Sequence, residues 1–253
     1  MRYALISDIH SNIPALEAVL DDIKSQNVEK IYCLGDVIGY GPYPNECAEM
    51  VMNACEYVIC GNHDEALRLG GIGFNRKARD AIEWTREQLE PGFFSGNKVR
   101  RRWEFLTKLP MSYKLERDYF VHGSPRDFTS EYVLPHDAQF GPTPKLQEIF
   151  AEVDNRLFLG HTHLPMILTD EYELLIPDDL GNEWESDPEQ KVIINVGSVG
   201  QPRDKNPEAC YVIVNGPKIQ WRRVKYDLQN TVDRIKNIDR LDVSLAERLL
   251  VGV

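Results

Sequence analysis

The stretch Tyr3-Ala4-Leu5-Ile6-Ser7-Asp8-Ile9-His10 decides the fold of this 253-residue chain. An apolar run followed at once by an aspartate and a histidine is typical of a buried strand that ends in a polar loop. Asn12 can then cap a helix, with Pro14 in its first turn, where a missing N–H costs nothing. Four apolar residues follow at helical spacing and should face the core: Leu16, Val19, Leu20 and Ile23.

The alternation of strand and helix continues to about residue 65. Strands are predicted over 28–34 and 57–60, with a helix over 45–53 between them, which favours an α/β unit with parallel strands. Further along the chain, helices are predicted over 79–89 and 145–153, and another helix begins or ends at 103–106. Further strands are predicted over 113–115, 119–121, 156–159, 166–168, 192–195, 211–214 and 219–223.

The rest of the pattern predicts one domain over 1–253, with a helical tail from about 227. The second helix of that tail opens at Ser244 with Glu247 three positions on, which predicts a capping box. The acidic stretch 170–189 is predicted to be an exposed loop or hairpin insertion. A basic cluster at 98–108 is interpreted as a solvated helix face in preference to a phosphate site.

The composition restricts the possible partners. With 42% hydrophobic and 27% charged residues, the chain is expected to be a soluble globular protein. The net charge of −11 argues against binding to nucleic acid or anionic lipid, so a phosphate substrate would need a local positive site such as bound divalent metal ions. No apolar run approaches the roughly 20 residues of a membrane span. The five cysteines show no CxxC spacing and suit reduced, buried thiols, and with the absence of a signal-peptide pattern they predict a cytoplasmic location.

Five of the six histidines lie within short motifs of metal-binding residue types. Each motif follows an apolar, strand-like run, so ligands far apart in sequence can converge on one metal site. The sixth, His136, is interpreted as a loop histidine. The motifs are Asp8-Ile9-His10, Gly35-Asp36, Gly61-Asn62-His63-Asp64, His122-Gly123-Ser124 and Gly160-His161-Thr162-His163.

The spacing within the motifs suggests how ligands are shared. Strand alternation would point Asp8 and His10 the same way, towards one ion. Asp36, at the end of the neighbouring strand, could bridge to a second ion, and Asn62 offers a neutral amide oxygen. His161 and His163 repeat the i, i+2 spacing and could serve one metal each. Mixed nitrogen and oxygen ligands favour Mn, Fe, Zn, Ni or Co over Mg or Ca, with Mn favoured for activity.

In these motifs the sequence resembles the calcineurin-like metallophosphoesterases, whose pattern is Asp-x-His, Gly-Asp, Gly-Asn-His-Asp/Glu, His and Gly-His-x-His. The resemblance runs from Met1 to about Val224, and the stretches 35–42 and 195–203 resemble the compact bacterial and archaeal branch. It implies a four-layer α-β-β-α sandwich, an α/β fold of two mixed sheets flanked by helices. Ser11 departs from the branch, which usually has glycine there; a role in the turn is favoured over contact with substrate.

The resemblance also implies roles for the motif residues. Asp8, His10 and His163 would hold one metal, while Asn62, His122 and His161 would hold the other, with Asp36 between them. The two divalent ions would share a hydroxide that attacks phosphorus. His63, held by Asp64, would give a hydrogen bond or a proton to the leaving oxygen, so the catalytic candidates are His63, Asn62 and Asp64.

Three further residues are candidates for substrate binding. Asn12 is primarily a helix cap that could also touch phosphate. Arg126 and Arg203 lie just beyond strand ends and can grip phosphate bidentately, or each can pair with the aspartate that follows it, Asp127 or Asp204.

The resulting hypothesis is a binuclear metal-dependent phosphodiesterase for a small-molecule or nucleotide-type phosphoester, with no membrane partner and no predicted oligomeric state. The alternatives are a phosphomonoesterase or protein phosphatase, and a non-catalytic scaffold of the same fold. Specificity is expected to depend on the loops 40–44, 70–75 and 128–141.

Overall fold

The computed structural model describes residues 1–253, which form two six-stranded sheets with helices on both outer faces. The strands are β1 (Arg2–Ile6), β2 (Lys30–Cys33), β3 (Tyr57–Val58), β4 (Ser112–Leu115), β5 (Asp118–Val121), β6 (Arg156–Leu159), β7 (Met166–Thr169), β8 (Leu174–Leu175), β9 (Glu183–Glu185), β10 (Val192–Asn195), β11 (Ala209–Asn215) and β12 (Lys218–Val224). The helices are α1 (Ile13–Lys24), α2 (Pro44–Ala54), α3 (Asn62–Leu69), α4 (Arg76–Leu89), α5 (Asn97–Thr107), α6 (Pro144–Ala151), α7 (Leu228–Lys236) and α8 (Ser244–Val251).

Both sheets are mixed. The first has the strand order β3-β2-β1-β11-β12-β9, in which β1, β2 and β3 are parallel and β11 runs antiparallel to β1. The second has the order β4-β5-β6-β10-β7-β8, in which β5, β6 and β10 are parallel. The predicted parallel α/β unit at the start of the chain is therefore confirmed.

Alternation along β1 explains the layers. Tyr3 and Leu5 belong to a buried cluster that also contains Phe158 of the second sheet, so this cluster fills the space between the sheets. Ala4 and Ile6 point the other way, into a cluster with the apolar face of α1. On the far side, the second sheet packs against α6. The four-layer α-β-β-α sandwich implied by the resemblance is confirmed.

The helix cap at Asn12 is confirmed, because its side chain accepts a hydrogen bond from the Ala15 N–H. One helix was not predicted, and one predicted cap is wrong. Helix α3 was not predicted, because its eight residues begin inside the Gly61-Asn62-His63-Asp64 motif and carry a weak apolar pattern. The capping box at Ser244 is wrong: Val243 is the N-cap of α8, and the Ser244 hydroxyl donates instead to Asp242.

The acidic stretch forms a hairpin and then crosses between sheets. Strand β8 pairs with β7 in the second sheet, whereas β9 pairs with β12 in the first. The basic cluster is solvated and paired, with Lys98 on Glu49 and Lys108 on Glu104. That interpretation is therefore confirmed.

Helices α7 and α8 bury their apolar faces in a cluster that includes Trp84 of α4, and Tyr40 packs against this cluster. Helix α7 begins one residue after the expected start of the tail, and one domain with a helical tail stays a prediction. All five cysteines are free thiols, and only Cys55 is not fully buried. None of the helices combines the length and the apolar character needed to cross a membrane.

Candidate metal centre

The motif residues meet where the carboxyl ends of parallel strands from both sheets face one another. Asp8 and Asp36 follow β1 and β2 of the first sheet, and His122 and His161 follow β5 and β6 of the second. Backbone hydrogen bonds join the first two loops: the Asp8 N–H donates to the Gly35 carbonyl, and the His10 N–H to the Asp36 carbonyl, both at 3.0 Å. The structure brings these motifs, which are far apart in sequence, together at one place, as predicted.

The way in which Asp8 and His10 converge differs from the prediction. Strand β1 ends at Ile6, and both residues have left-handed backbone conformations, with φ of 53° and 48°. His161 and His163 share this feature, with φ of 65° and 61°. Left-handed conformations cost non-glycine residues of order 1–3 kcal/mol each, and they concentrate at functional sites. Tight left-handed turns, rather than strand alternation, aim these side chains, so the alternation argument was wrong.

One group of potential ligands consists of Asp8, His10 and His163. The Nε2 atom of His163 lies 3.1 Å from Asp8 Oδ1 and 3.1 Å from His10 Nε2. Asp8 also accepts the His161 backbone N–H at 3.0 Å, which fixes its carboxylate. All three side chains are at most 1% exposed, so a charge between them would lie out of contact with water.

The second group consists of Asp36, His122 and His161. Asp36 Oδ2 lies 3.4 Å from His122 Nε2 and 3.6 Å from His10 Nε2, so this oxygen stands between the two groups. The amide oxygen of Asn62 lies 3.1 Å from His122 Nε2. A Cβ on Gly61 would come within 2.1 Å of Asp36 Oδ1, so only glycine allows the two loops to approach this closely.

In each of the four histidines of the two groups, one ring nitrogen forms a hydrogen bond with a backbone carbonyl. Because a carbonyl can only accept, that nitrogen carries a proton, and the other nitrogen, which is the one that could bind a metal ion, faces the centre. The sequence could not reveal these partners, since any residue type supplies a carbonyl. They are Ile38 for His10, Leu34 for His122, Ser130 for His161 and Gln201 for His163.

The electrostatics keep most of the centre in its ligand forms. Burial lowers the pKa of His161 to about 3, with help from the charge of His122, and also lowers the pKa of His10 and His163. Burial opposes ionisation of Asp36, yet His122 and His63 hold the pKa of that carboxyl well below its usual range. His122 is the exception: despite burial, Asp36 raises its pKa to about 9, so a metal ion would have to displace its proton.

The donor set fits divalent cations. Lone pairs of His10 and His163 face each other at 3.1 Å, whereas the proton on His122 Nε2 can be donated to the Asn62 amide oxygen at the same distance. The His10–His163 acceptor pair repels unless a cation lies between the two nitrogens, and ligands about 2.0–2.2 Å from one ion are separated by about this much. Mixed nitrogen and oxygen donors fit Mn, Fe, Zn, Ni or Co.

His63 lies beside both groups but is held differently from the prediction. Its ring packs on Tyr40 at 4.3 Å and on Phe74 at 5.0 Å between centroids, and its Nδ1 is buried without a hydrogen-bond partner. The Asp64 carboxylate accepts backbone N–H groups of Val37 and Gly61 instead. The expected pairing of Asp64 with the His63 ring is therefore wrong. Asp64 is the third residue of α3, and its carboxylate completes a capping box by accepting the N–H of the N-cap residue Gly61.

A cavity of about 300 Å³ opens over the two groups. The three loops expected to govern specificity all reach it, through Tyr40, through Ile72 and Phe74, and through Tyr132. Tyr132 stacks on His161 with ring centroids 4.0 Å apart. A lone tyrosine or phenylalanine in a loop gives no sequence signal that it lines a cavity.

The three candidates for substrate contact lie in different settings. Arg203 lines the cavity and does not pair with Asp204. Arg126 is not among the lining residues and pairs with Glu131 and Glu148, so the structure gives its phosphate contact no support.

Asn12 has its side chain occupied, since it donates to the Gly200 carbonyl and accepts from Thr231. The Ser11 hydroxyl is buried without a partner, in a left-handed turn with φ of 53°. His136 lies in a 3₁₀ turn at 135–140, outside the centre, in agreement with its interpretation as a loop histidine.

Known proteins resemble this chain in sequence and in structure. The model of the calcineurin-like phosphoesterase superfamily domain matches residues 1–216. The uncharacterized protein MJ0912 of Methanocaldococcus jannaschii is 36% identical over 259 residues, covering 98% of this chain and 97% of that protein. A metallophosphoesterase from Sphaerobacter thermophilus has a similar structure, with a TM-score of 0.81, 33% identity and full coverage of both chains. The hypothetical protein PH1004 from Pyrococcus horikoshii has a TM-score of 0.76 at 23% identity and covers all of this chain and 98% of its own.

Proposed function

The chain belongs to the calcineurin-like phosphoesterase superfamily, and from that premise we propose that it is a binuclear metal-dependent phosphodiesterase. The observation that carries the proposal is the pair of buried ligand groups, with Asp36 Oδ2 between His10 and His122. No scaffold role requires such a concentration of inward-facing lone pairs, strained backbone and buried carboxylates. A catalytic centre accounts for all three.

The ligand assignment follows the two groups. Asp8, His10 and His163 would hold one ion. Asn62, His122 and His161 would hold the other, and Asp36 would contact both. Two divalent ions held in this way would lower the pKa of a water nucleophile and neutralise phosphoryl oxygens. We propose manganese as the ion that supports activity.

The remaining residues bind, orient and stabilise. Arg203 lines the cavity with its guanidinium close enough to His63 and His163 to influence the pKa of each, so it can hold phosphoryl oxygens. His63 faces the same cavity and would donate a hydrogen bond to the leaving oxygen. Asp64 acts indirectly, because its bonds to the backbone of Val37 and Gly61 fix the turn that carries Asn62 and His63.

The cavity favours a diester over a monoester. A diester carries organic groups on two of its oxygens, and the cavity has apolar and aromatic walls from separate loops, with Ile72 and Phe74 on one and Tyr132 on another. Ile72 is 88% exposed, so it is available for contact. A nucleotide-type or other small-molecule ester fits a space of about 300 Å³, and the net charge of −11 disfavours a long nucleic acid. We also propose a cytoplasmic location, in keeping with five free thiols.

Paired assays test the proposal. Bis(4-nitrophenyl) phosphate and 4-nitrophenyl phosphate are compared with manganese present, after chelation, and after manganese is restored. We expect the diester to be the better substrate, activity to disappear with chelation, and its recovery to follow the manganese content measured by elemental analysis. Equal turnover in chelated and loaded protein would refute the metal-dependent mechanism, and a preference for the monoester would favour a phosphomonoesterase.

A further inference from the structure

Gln201 contacts both a candidate metal ligand and an arginine that lines the cavity. It is only 2% exposed, although glutamine is usually a surface residue. Its backbone carbonyl accepts a hydrogen bond from His163 Nδ1 at 2.5 Å, and its side-chain Oε1 accepts one from Arg203 Nη2 at 2.8 Å. His163 and Arg203 both line the cavity of about 300 Å³. One buried residue therefore orients a ligand candidate through its backbone and a cavity arginine through its side chain.

The backbone around Gln201 is anchored to the loop that carries Asp8. The Ser198 hydroxyl donates to the Asp8 carbonyl and accepts the backbone N–H of Gln201, both at 2.8 Å. The Gly200 N–H donates to the same carbonyl at 2.9 Å. A Cβ on Gly200 would lie 1.7 Å from the Ile9 carbonyl oxygen, so only glycine allows this approach. The backbone of Gln201 is therefore fixed relative to the candidate centre.

The Arg203 guanidinium depends on Gln201 for its orientation. The backbone N–H of Arg203 donates to the His163 carbonyl at 3.3 Å, which fixes where the side chain starts. The bond to Gln201 Oε1 is the one hydrogen bond of the guanidinium, and its Nε is buried without a partner. A long arginine side chain has many rotamers, so an acceptor that orients it in advance lowers the entropy lost when an anion binds.

The acceptor at position 201 is an amide rather than a carboxylate. Because arginine can only donate, the amide atom that faces Arg203 is the oxygen. An amide oxygen accepts a hydrogen bond without neutralising the positive charge, whereas a glutamate at 201 would form an ion pair with the same guanidinium. The Asp36 carboxylate already lines this cavity, and a second carboxylate would repel an anion further. A neutral side chain at 201 leaves the guanidinium charge available.

We propose that Gln201 is a positioning residue, which holds the Arg203 guanidinium towards the phosphoryl group of the substrate while leaving its charge uncompensated. The inference rests on the proposed function and adds to it a residue that acts through Arg203 on phosphate binding. Gln201 contributes to KM through its side chain, whereas its backbone carbonyl, which any residue type would supply, supports His163.

Gln201→Glu distinguishes this role from a structural one. Glutamate has nearly the shape of glutamine and can still accept a hydrogen bond, so a purely structural role predicts wild-type kinetics. We expect instead that KM for bis(4-nitrophenyl) phosphate rises about 10-fold with a smaller change in kcat, as for a charged hydrogen bond lost from substrate binding. Bound manganese should stay at the wild-type level, because the bond to His163 comes from the backbone.

A double-mutant cycle shows whether Gln201 acts through Arg203. Gln201→Met removes the acceptor and should raise KM about 3- to 10-fold by itself. In combination with Arg203→Ala it should add no further effect, because the group that it orients is gone. Gln220→Met serves as the control, since it removes a glutamine that donates to Glu183 on the surface, and it should leave KM unchanged.

A binding measurement separates the positioning role from catalysis. Manganese-treated protein is titrated calorimetrically with inorganic phosphate, and its folding is checked by thermal melts. We expect Gln201→Glu and Gln201→Met to raise the Kd by factors similar to those for KM. If no ester is hydrolysed but these differences appear, the positioning role stands and the proposed function fails. Wild-type KM and Kd in folded Gln201→Glu, an undiminished effect of Gln201→Met beside Arg203→Ala, or a loss of bound manganese in Gln201→Met would each overturn the positioning role.

Discussion

His63→Gln separates catalysis from metal binding. The His63 ring is 2% exposed and packs on Tyr40 and Phe74, so glutamine, which is of similar volume, can occupy its place. The backbone N–H of residue 63 donates to Asp36 Oδ1 at 2.8 Å, and the substitution leaves that bond intact. The metal content should therefore stay at the wild-type level while the group facing the leaving oxygen changes.

The magnitude follows from the protonation state of His63. Burial lowers the pKa of His63 to about 4, so at pH 7 only about one molecule in a thousand carries the second proton. A neutral imidazole donates a hydrogen bond rather than releasing a proton. That hydrogen bond contributes most when the leaving oxygen is basic. We expect His63→Gln to lower kcat about 10-fold for a 4-nitrophenyl diester and about 10²–10³-fold for a dialkyl or dinucleoside diester, as for loss of one hydrogen-bond donor to developing negative charge.

The assay measures kcat for both leaving groups, with metal content determined on the same samples. Phe74→Leu serves as the control for packing, because it alters the surroundings of residue 63 without removing a polar group. Its metal content should also stay at the wild-type level. Undiminished turnover by His63→Gln, or an equal loss for both leaving groups, would show that His63 has no role at the leaving oxygen.

Three other substitutions test the centre and its support. Asp36→Asn should reduce bound manganese from two ions per chain to one or fewer and abolish turnover, as measured by elemental analysis and diester assay, because Asp36 lies between both ligand groups. Asp118→Asn should lower the free energy of unfolding in urea by about 2–4 kcal/mol with kcat unchanged, since the buried carboxylate accepts two bonds from Arg156. Partial burial raises the pKa of Asp22, but hydrogen bonds from Arg222 outweigh this effect and lower it. Ionised Asp22 therefore stabilises the fold at pH values above its unfolded pKa of about 3.9. This stabilisation is lost as the pH falls below that value and through the lower pKa of the folded state. Asp22→Asn should therefore cost up to about 1 kcal/mol at pH 7 and nothing near pH 2 in thermal melts.

The strands and the helices with a clear apolar face could be predicted because burial imposes a period on the sequence. Leu16, Val19, Leu20 and Ile23 are all buried in α1 as their spacing requires. Helix α3 has no such pattern, because two of its buried residues are polar. Asp64 is buried because it accepts backbone N–H groups, and His63 is buried because it lies beside the candidate centre. Two sheets in one sandwich could not be derived from periodicity either, because alternation along β1 fits any strand with both faces covered.

The identities of the candidate ligands could be read from the motifs, but their orientation could not. The carbonyls of Leu34, Ile38, Ser130 and Gln201 aim the imidazoles, and a carbonyl leaves no mark in sequence. The partner of His63 was misassigned for a related reason. Adjacent residues 63 and 64 lie in the first turn of α3, so their side chains point in different directions, one to the cavity and one to the backbone.

The centre is assembled from both sheets, which links metal binding to the packing between them. Asp8 and Asp36 are carried by the first sheet, His122 and His161 by the second, and the cluster containing Leu5 and Phe158 lies between the strands that deliver them. An ion bound at both edges can form its full set of contacts only when the sheets keep their native separation. On the proposed function, metal binding would therefore stabilise the fold by about RT ln(1 + [M]/Kd). The substitution Phe158→Ala, which leaves a cavity between the sheets, should weaken metal affinity as well as stability. The left-handed turns at Asp8 and His161 are tolerated for the same reason. They follow strands that are fixed by a packed core, and the packing of that core can offset the strain of the turns.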